Sequence, residues 1–323
     1  MIDELLAHRL IAVLGKGGVG RTTVSAAIGA AAAARALRTL IIEADMRAPI
    51  AQAYGHPGAF ASVELSDNLY EMTLGGQESL EEYLSFVVPR PILRMVFASS
   101  FYQYFVHAAP AVRELTMMGK VFHEIERRAA PLEPWNVVVF DAPASGQALS
   151  MIRMPFAARE TFGASVAGRE AGNIAALLRD PAKCAIAAVT TAEPLAIAET
   201  LEINRTLAAL GLKLAAVFFN RMSAAAFDAA DIARMVRRAA RDPDADGVAE
   251  LAAIARAELQ RRMRDRRALA MLRRSVKCRV IELVECRGLA GRALTAQLAA
   301  QFGGRAPRRT GPGEPSVPGA VGL

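Results

Sequence analysis

Residues 15–23 read G-K-G-G-V-G-R-T-T, between a short apolar run and an alanine-rich segment. Glycines at Gly15, Gly17, Gly18 and Gly20, with Val19 among them, leave a backbone free to turn its N–H groups around phosphate oxygens. The spacing Gly15…Gly20-Arg21-Thr22 fits a phosphate-binding loop at every position except Arg21, where lysine is expected. Thr22 is then the residue to give its hydroxyl to Mg²⁺, and Thr23 the one to reach an α-phosphate. The chemistry implied is binding of ATP with Mg²⁺. Arginine is planar and larger than lysine, so Arg21 neutralises phosphate charge yet crowds the β- and γ-phosphates. Phosphoryl transfer rests on positioning and charge, which leaves hydrolysis the open question of this loop.

The elements that must hold the loop follow from alternating apolar runs and helical segments. Strands are expected at Leu10–Leu14, Thr39–Ile42, Asn136–Phe140, Cys184–Thr190, Leu214–Phe219 and Val280–Val284. Polar residues stand at their carboxyl ends: Glu43 and Asp45, Asp141, Thr191 and Asn220. Open α/β sheets bind ligands at those ends. An aspartate capping a buried strand is too costly to leave unpartnered, so a metal or hydrogen-bond donors should meet Asp141. A helix or turn cap is its plainer reading, and Asp45 and Asn220 also read as ordinary turn residues. Helical segments are expected at Thr22–Arg35, Glu78–Val87, Ile92–Ala108 and Ala111–Ala129. The ninety residues between the second strand and Asn136 thus look mainly helical.

The fold expected is α/β, a mainly parallel sheet with helices on both faces. A single domain is assigned to residues 1–302, with a helical insertion at about 70–130 and a basic helical segment at about 231–275. Residues 303–323, rich in glycine and proline, are expected to form a disordered tail. The start of the chain is acidic where a secretory signal is basic, and apolar runs are too short for a bilayer span. The three cysteines form no C-x-x-C pair, so a cytoplasmic location is expected. The net charge of +7 is uneven: residues 211–323 carry +10 and the rest −3. Ten basic residues face two acids between Arg256 and Arg279, which reads first as a solvated helix face.

Lys16, directly after the first glycine in K-G-G-x-G, marks the deviant Walker-A class of MinD- and ArsA-like ATPases. Across residues 9–302 the chain resembles the ArsA family, related to the arsenite-pump ATPase and the ATPase that targets tail-anchored membrane proteins. "IIEADMRAP" is similar to the family's switch I, and "FDAPASGQALSMIRMP" to its switch II signature. "YFVHAAPAVRELTMMGKVFHE" resembles the family's helical segment, and the block from Val189 to Arg221 resembles another family block. The resemblance implies a P-loop NTPase in which Lys16 crosses a dimer interface to the partner's nucleotide. It also implies that Asp45 orients the attacking water, that Asp141 holds Mg²⁺ through water, and that Asn220 reads adenine.

The chain departs from the family pattern at Arg21 and at Gln147, which replaces the switch II histidine. The family's zinc C-x-x-C is absent, so no zinc is expected, and arsenite-binding cysteines cannot be assigned. Apolar residues after switch II (Met151, Ile152, Met154, Phe156 and Phe162) are few. The stretch Phe86–Phe122, with Met95, Phe97, Phe101, Tyr102, Tyr104, Phe105, Met117 and Met118, is the better candidate partner surface. The function expected is a dimeric, Mg-dependent ATP-driven switch acting on a client protein, as a homodimer or with a paralogous ATPase. A non-catalytic subunit paired with a catalytic paralogue is the alternative, and a MinD/ParA-like positioning ATPase a more distant one. Nucleic acid and membrane are not expected as partners.

Overall fold

The computed structural model describes residues 2–99, 110–126, 134–224, 229–241 and 247–302. Helix α1 (Asp3–Leu6) precedes strand β1 (Leu10–Gly15), helix α2 (Arg21–Ala33) and strand β2 (Thr39–Glu43). Next come α3 (Pro49–Ala53), β3 (Val63–Ser66), β4 (Leu69–Thr73), α4 (Gly76–Val87), α5 (Arg90–Ala98) and α6 (Pro110–Glu126). The chain then runs through β5 (Val137–Asp141), α7 (Ser145–Phe162), α8 (Val166–Arg179), β6 (Cys184–Thr190) and α9 (Pro194–Ala209). It closes with β7 (Leu214–Met222), α10 (Ala229–Arg241), α11 (Val248–Ser275), β8 (Arg279–Val284) and α12 (Gly291–Gln301).

These strands form one eight-stranded sheet in the order β3-β4-β2-β5-β1-β6-β7-β8, parallel except for the β3–β4 edge pair. Side chains alternate between the faces along each strand. Leu10, Ala12 and Leu14 join Leu40, Ile42, Val138 and Phe140 in the core under α6, α7, α8 and α9. Ile11, Val13, Ile41 and Val139 face the other way, against α2 and α12. Both faces are apolar and covered, as a parallel sheet requires. No helix of the described residues is long and apolar enough to cross a membrane.

The six expected strands are present. The segment before β5 is not purely helical, because β3 and β4 lie within it and extend the sheet beyond β2. Asp67 and Asn68 turn the chain between these strands, Asn68 at a φ of 62°. β7 runs past Asn220 to Met222, so Asn220 lies within a strand and initiates no turn. In the candidate partner surface, Met117 and Met118 are buried, Phe86 and Met95 are exposed, and Phe101, Tyr102, Tyr104 and Phe105 lie outside the described residues. Met151, Ile152 and Phe156 are buried in the core under α7, while Phe162 is exposed. Residues 303–323 also lie outside the described residues.

Candidate functional site

The carboxyl ends of β1, β2, β5 and β7 surround the loop of residues 15–20. Gly15 leaves β1 with its Cβ position 2.5 Å from the carbonyl oxygen of Val189 on β6, so no side chain fits there. Gly20 ends the loop at a φ of 88°, and a Cβ there meets Asn220 Nδ2 at 2.5 Å. That amide donates to the carbonyl oxygen of Val19 at 2.9 Å, keying β7 to the loop. A Cβ at Gly17 or Gly18 would meet nothing within 4 Å, so the outer side of the loop is open. α2 then starts at Arg21 with no side-chain cap on its first turn. The first N–H groups of a helix have no partner within it, which makes this end an anion-binding site.

At the base of the loop, Asp141 is buried at the end of β5. Thr22 Oγ1 donates to its Oδ2 at 2.7 Å and Ser25 Oγ to its Oδ1 at 2.9 Å. Thr22 and Ser25 are one helical turn apart, so one face of α2 presents both hydroxyls. Arg21 Nε lies 3.4 Å from Asp141 Oδ1, and its Nη1 donates to the carbonyl oxygen of Gly15 at 3.0 Å. The guanidinium is therefore turned toward Asp141 and the start of the loop. Burial pushes the Asp141 carboxyl up from its ordinary range, against the pull of Arg21 and the two hydroxyls.

A hydroxyl and a carboxylate 2.7 Å apart are hard oxygen donors of the kind Mg²⁺ takes. Among the described residues no cluster of three or more His, Cys, Asp or Glu is placed to hold a metal. Phosphate oxygens would have to complete the shell of an ion held by Thr22 and Asp141, as is usual for Mg²⁺.

The segments that resemble switch I and switch II flank this centre. Asp45 takes a two-pronged ion pair from Arg47, whose Nη2 lies 2.7 Å from Oδ2 and Nε 3.0 Å from Oδ1. Those hydrogen bonds, with the Arg47 N–H, hold the Asp45 carboxyl below the usual carboxylate range. Ala48 follows at a φ of 46°, a left-handed conformation that costs a non-glycine residue about 1 kcal/mol or more. Gln147 is exposed on the first turn of α7. Ser145 Oγ donates to Glu199 Oε2 at 2.6 Å and ties the start of α7 to α9. Lys16 Nζ lies 4.0 Å from Glu193 Oε2, a long pair with the glutamate mostly exposed, which holds the lysine weakly.

Thr23 and Asn220 line a pocket of about 140 Å³ beside the loop, together with Val284, Glu285, Cys286 and Leu298. Its far wall, the end of β8 and α12, was not expected from sequence. Ser25, Arg47 and Glu193 were also missed. Only Ser25 had a signal, its one-turn spacing from Thr22.

Glu43 is a further buried group that sequence reasoning left at a strand end. Its carboxylate accepts the N–H groups of Ile50 (2.9 Å) and Ala51 (3.3 Å), so it fixes the first turn of α3 to β2. Glu71, buried on neighbouring β4, accepts the Thr73 hydroxyl at 2.9 Å. Burial pushes Glu43 up to about 8, with Glu71 and Asp141 adding to the rise, and pushes Glu71 up to about 7. Both acids are easier to protonate folded than unfolded. Their contribution to stability is therefore complete below about pH 4.5 and lost as pH rises through 7 to 8. Glu71→Gln should lessen the fall in urea-unfolding stability between about pH 6 and 9 by on the order of 1 kcal/mol. Identical falls in both proteins would show that the pair carries no proton across this range.

A glycine loop between β1 and α2, at the carboxyl edge of a mainly parallel sheet with helices on both faces, is the arrangement of a P-loop NTPase fold. The chain belongs to the family of anion-transporting ATPases, whose family model matches residues 8–171. It is similar to ATPase BagA of Mycobacterium tuberculosis, 27% identical over 254 residues, 76% of this chain and 74% of the relative. A provisionally named ATPase of Mycobacterium bovis is similar over the same span and to the same degree. The family match ends within α8, so Asn220 and the pocket wall at 284–298 lie beyond it.

Proposed function

We propose that the chain is a cytoplasmic ATP hydrolase that works as a dimeric, nucleotide-driven switch on a client or partner protein. The observation that carries this reading is the Thr22–Asp141 contact under an uncapped helix start and an open glycine loop. The backbone of Gly15–Thr23 holds the triphosphate, Thr22 and Asp141 hold Mg²⁺, and Arg21 offsets phosphate charge. Mg²⁺, when bound, neutralises charge on the β- and γ-phosphates. Asp45 orients the attacking water, Asn220 faces the base, and Lys16 reaches the nucleotide of the neighbouring subunit. Closure and opening follow from contacts of segments 45–49 and 141–147 with the γ-phosphate. The test is phosphate release by the purified chain against Asp45→Asn, with calorimetry of Mg·ATP and Mg·ADP beside it. No heat with either nucleotide removes the whole reading.

A second reading, a nucleotide-binding subunit without turnover of its own, is favoured by one feature. The Arg21 guanidinium is engaged by Asp141 and the Gly15 carbonyl oxygen. Lysine carries its charge on a compact, flexible ammonium, so Arg21→Lys should raise turnover of the isolated chain about tenfold, worth about 1.4 kcal/mol in the barrier. Unchanged turnover takes away the support for this second reading.

A further inference from the structure

Eight of the ten basic residues between Arg256 and Arg279 lie on α11, and their placement there makes a surface of its own. α11 buries Asp265, Leu269 and Leu272 on one side, against the sheet and its helices. Both acids of the stretch are already engaged. Asp265 accepts the N–H and the hydroxyl of Ser223 at 2.8 and 2.7 Å. Glu258, 16% exposed, pairs with Arg287 at 3.6 Å. On the opposite side, Met263, Arg267, Met271 and Arg274 follow one another at intervals of about one helical turn, and all four are exposed. Arg256, Arg264 and Arg266 are also exposed. None of these arginines has an ion-pair partner among the described residues, whereas Arg261 and Arg273 are paired to Glu285 and Glu282.

The outward face of α11 thus combines unpaired guanidinium groups with two thioethers, and its acids point elsewhere. We propose that this face docks on an anionic lipid surface, its arginines at the headgroup phosphates and Met263 and Met271 at the acyl boundary. Charge complementarity alone suits any polyanion. The alternation of methionine with arginine along one stripe decides for lipid, because among polyanions a lipid surface is the one that offers exposed thioethers an apolar phase behind its phosphates. Arginine suits that boundary, since its stem lies along apolar surface while its head stays at the phosphates. The helix remains folded on the sheet, so contact is peripheral and reversible. This proposal does not depend on the nucleotide reading.

Flotation of the full chain with vesicles containing about one third phosphatidylglycerol, against vesicles of phosphatidylcholine alone, tests it. Binding should be confined to the anionic vesicles and weaken as salt rises toward about 0.5 M. Each arginine near such a surface is worth roughly fivefold in affinity. Arg267→Glu/Arg274→Glu should therefore weaken binding at least about 25-fold. Met263→Ser/Met271→Ser should weaken it several-fold with every charge kept, and both variants should keep the wild-type circular dichroism and urea midpoint. Absence of wild-type binding at low salt overturns the proposal without recourse to any variant. So does a methionine pair that changes nothing while duplex DNA displaces the vesicles, which points to a nucleic acid. A wild-type dimer split by these substitutions in light scattering overturns it too, and makes the face an interface between two copies.

Discussion

Asp141→Ala is expected to cost about 3–5 kcal/mol of folding stability, far more than most single substitutions. Asp141 is 2% exposed and accepts from Thr22 and Ser25 while facing Arg21. Removing its carboxylate leaves a guanidinium, whose side chain is only 14% exposed, with the Gly15 carbonyl oxygen as its remaining partner. Arg21 Nε already lacks a hydrogen bond and depends on the charge of Asp141. The large loss comes from that stranded cation more than from the missing ion pair, because a buried pair recovers little beyond its own desolvation. The double variant Asp141→Ala/Arg21→Met should accordingly recover part of the stability lost in the single one. Urea denaturation followed by circular dichroism measures both. A loss below about 1 kcal/mol for Asp141→Ala, with no recovery in the double variant, would mean that the two residues are not coupled.

The parts of this molecule legible in its sequence are those encoded by neighbours along the chain. Residues 10–23 are a strand, a glycine loop and a helix start in succession, and the pattern of types suffices. "NVVVF" is a buried strand because only both-face burial tolerates such a run. The hairpin β3–β4 was hidden by its shortness and by Glu71, a carboxylate in a buried strand that breaks the apolar run. Glu71 is tolerated there because Thr73, two residues on, donates to it and burial raises its proton affinity, and that burial comes from neighbours distant in the chain. Glu43 reads from sequence as a polar strand end, yet it caps a helix that starts six residues later. The charged segment 256–279 reads from sequence as a solvated helix face, and most of its basic residues are exposed; where its two acids go is not local information. A count of ten cations against two acids leaves open which side of the helix the acids take. Their partners, Ser223 and Arg287, come from outside α11 and turn both acids away from the exposed side.

Asp45→Asn should lower phosphate release by about 100-fold or more while leaving nucleotide affinity within about threefold. The asparagine keeps the shape of the side chain and loses its charge, so a role in water activation and a role in folding are separable. Arg47 now occupies both oxygens of Asp45, which looks at first like an obstacle to that role. The arginine side chain is 86% exposed, however, and pairs of that kind are worth only a small amount. A γ-phosphate contact of ordinary charge-assisted strength exceeds that amount, so drawing Arg47 or segment 45–49 away requires little. Asp45 is held below the usual carboxylate range by Arg47, with a smaller contribution from Arg21, and so is ionised at neutral pH in either arrangement. Turnover should therefore show no rise attributable to Asp45 between about pH 6 and 8. Arg47→Ala, which only releases the carboxylate, should leave turnover unchanged or raise it by no more than about fivefold, matching the small worth of the pair. Wild-type rates from Asp45→Asn would show that this carboxylate does not serve the water, and turnover lost with Arg47→Ala would move the essential group to the arginine.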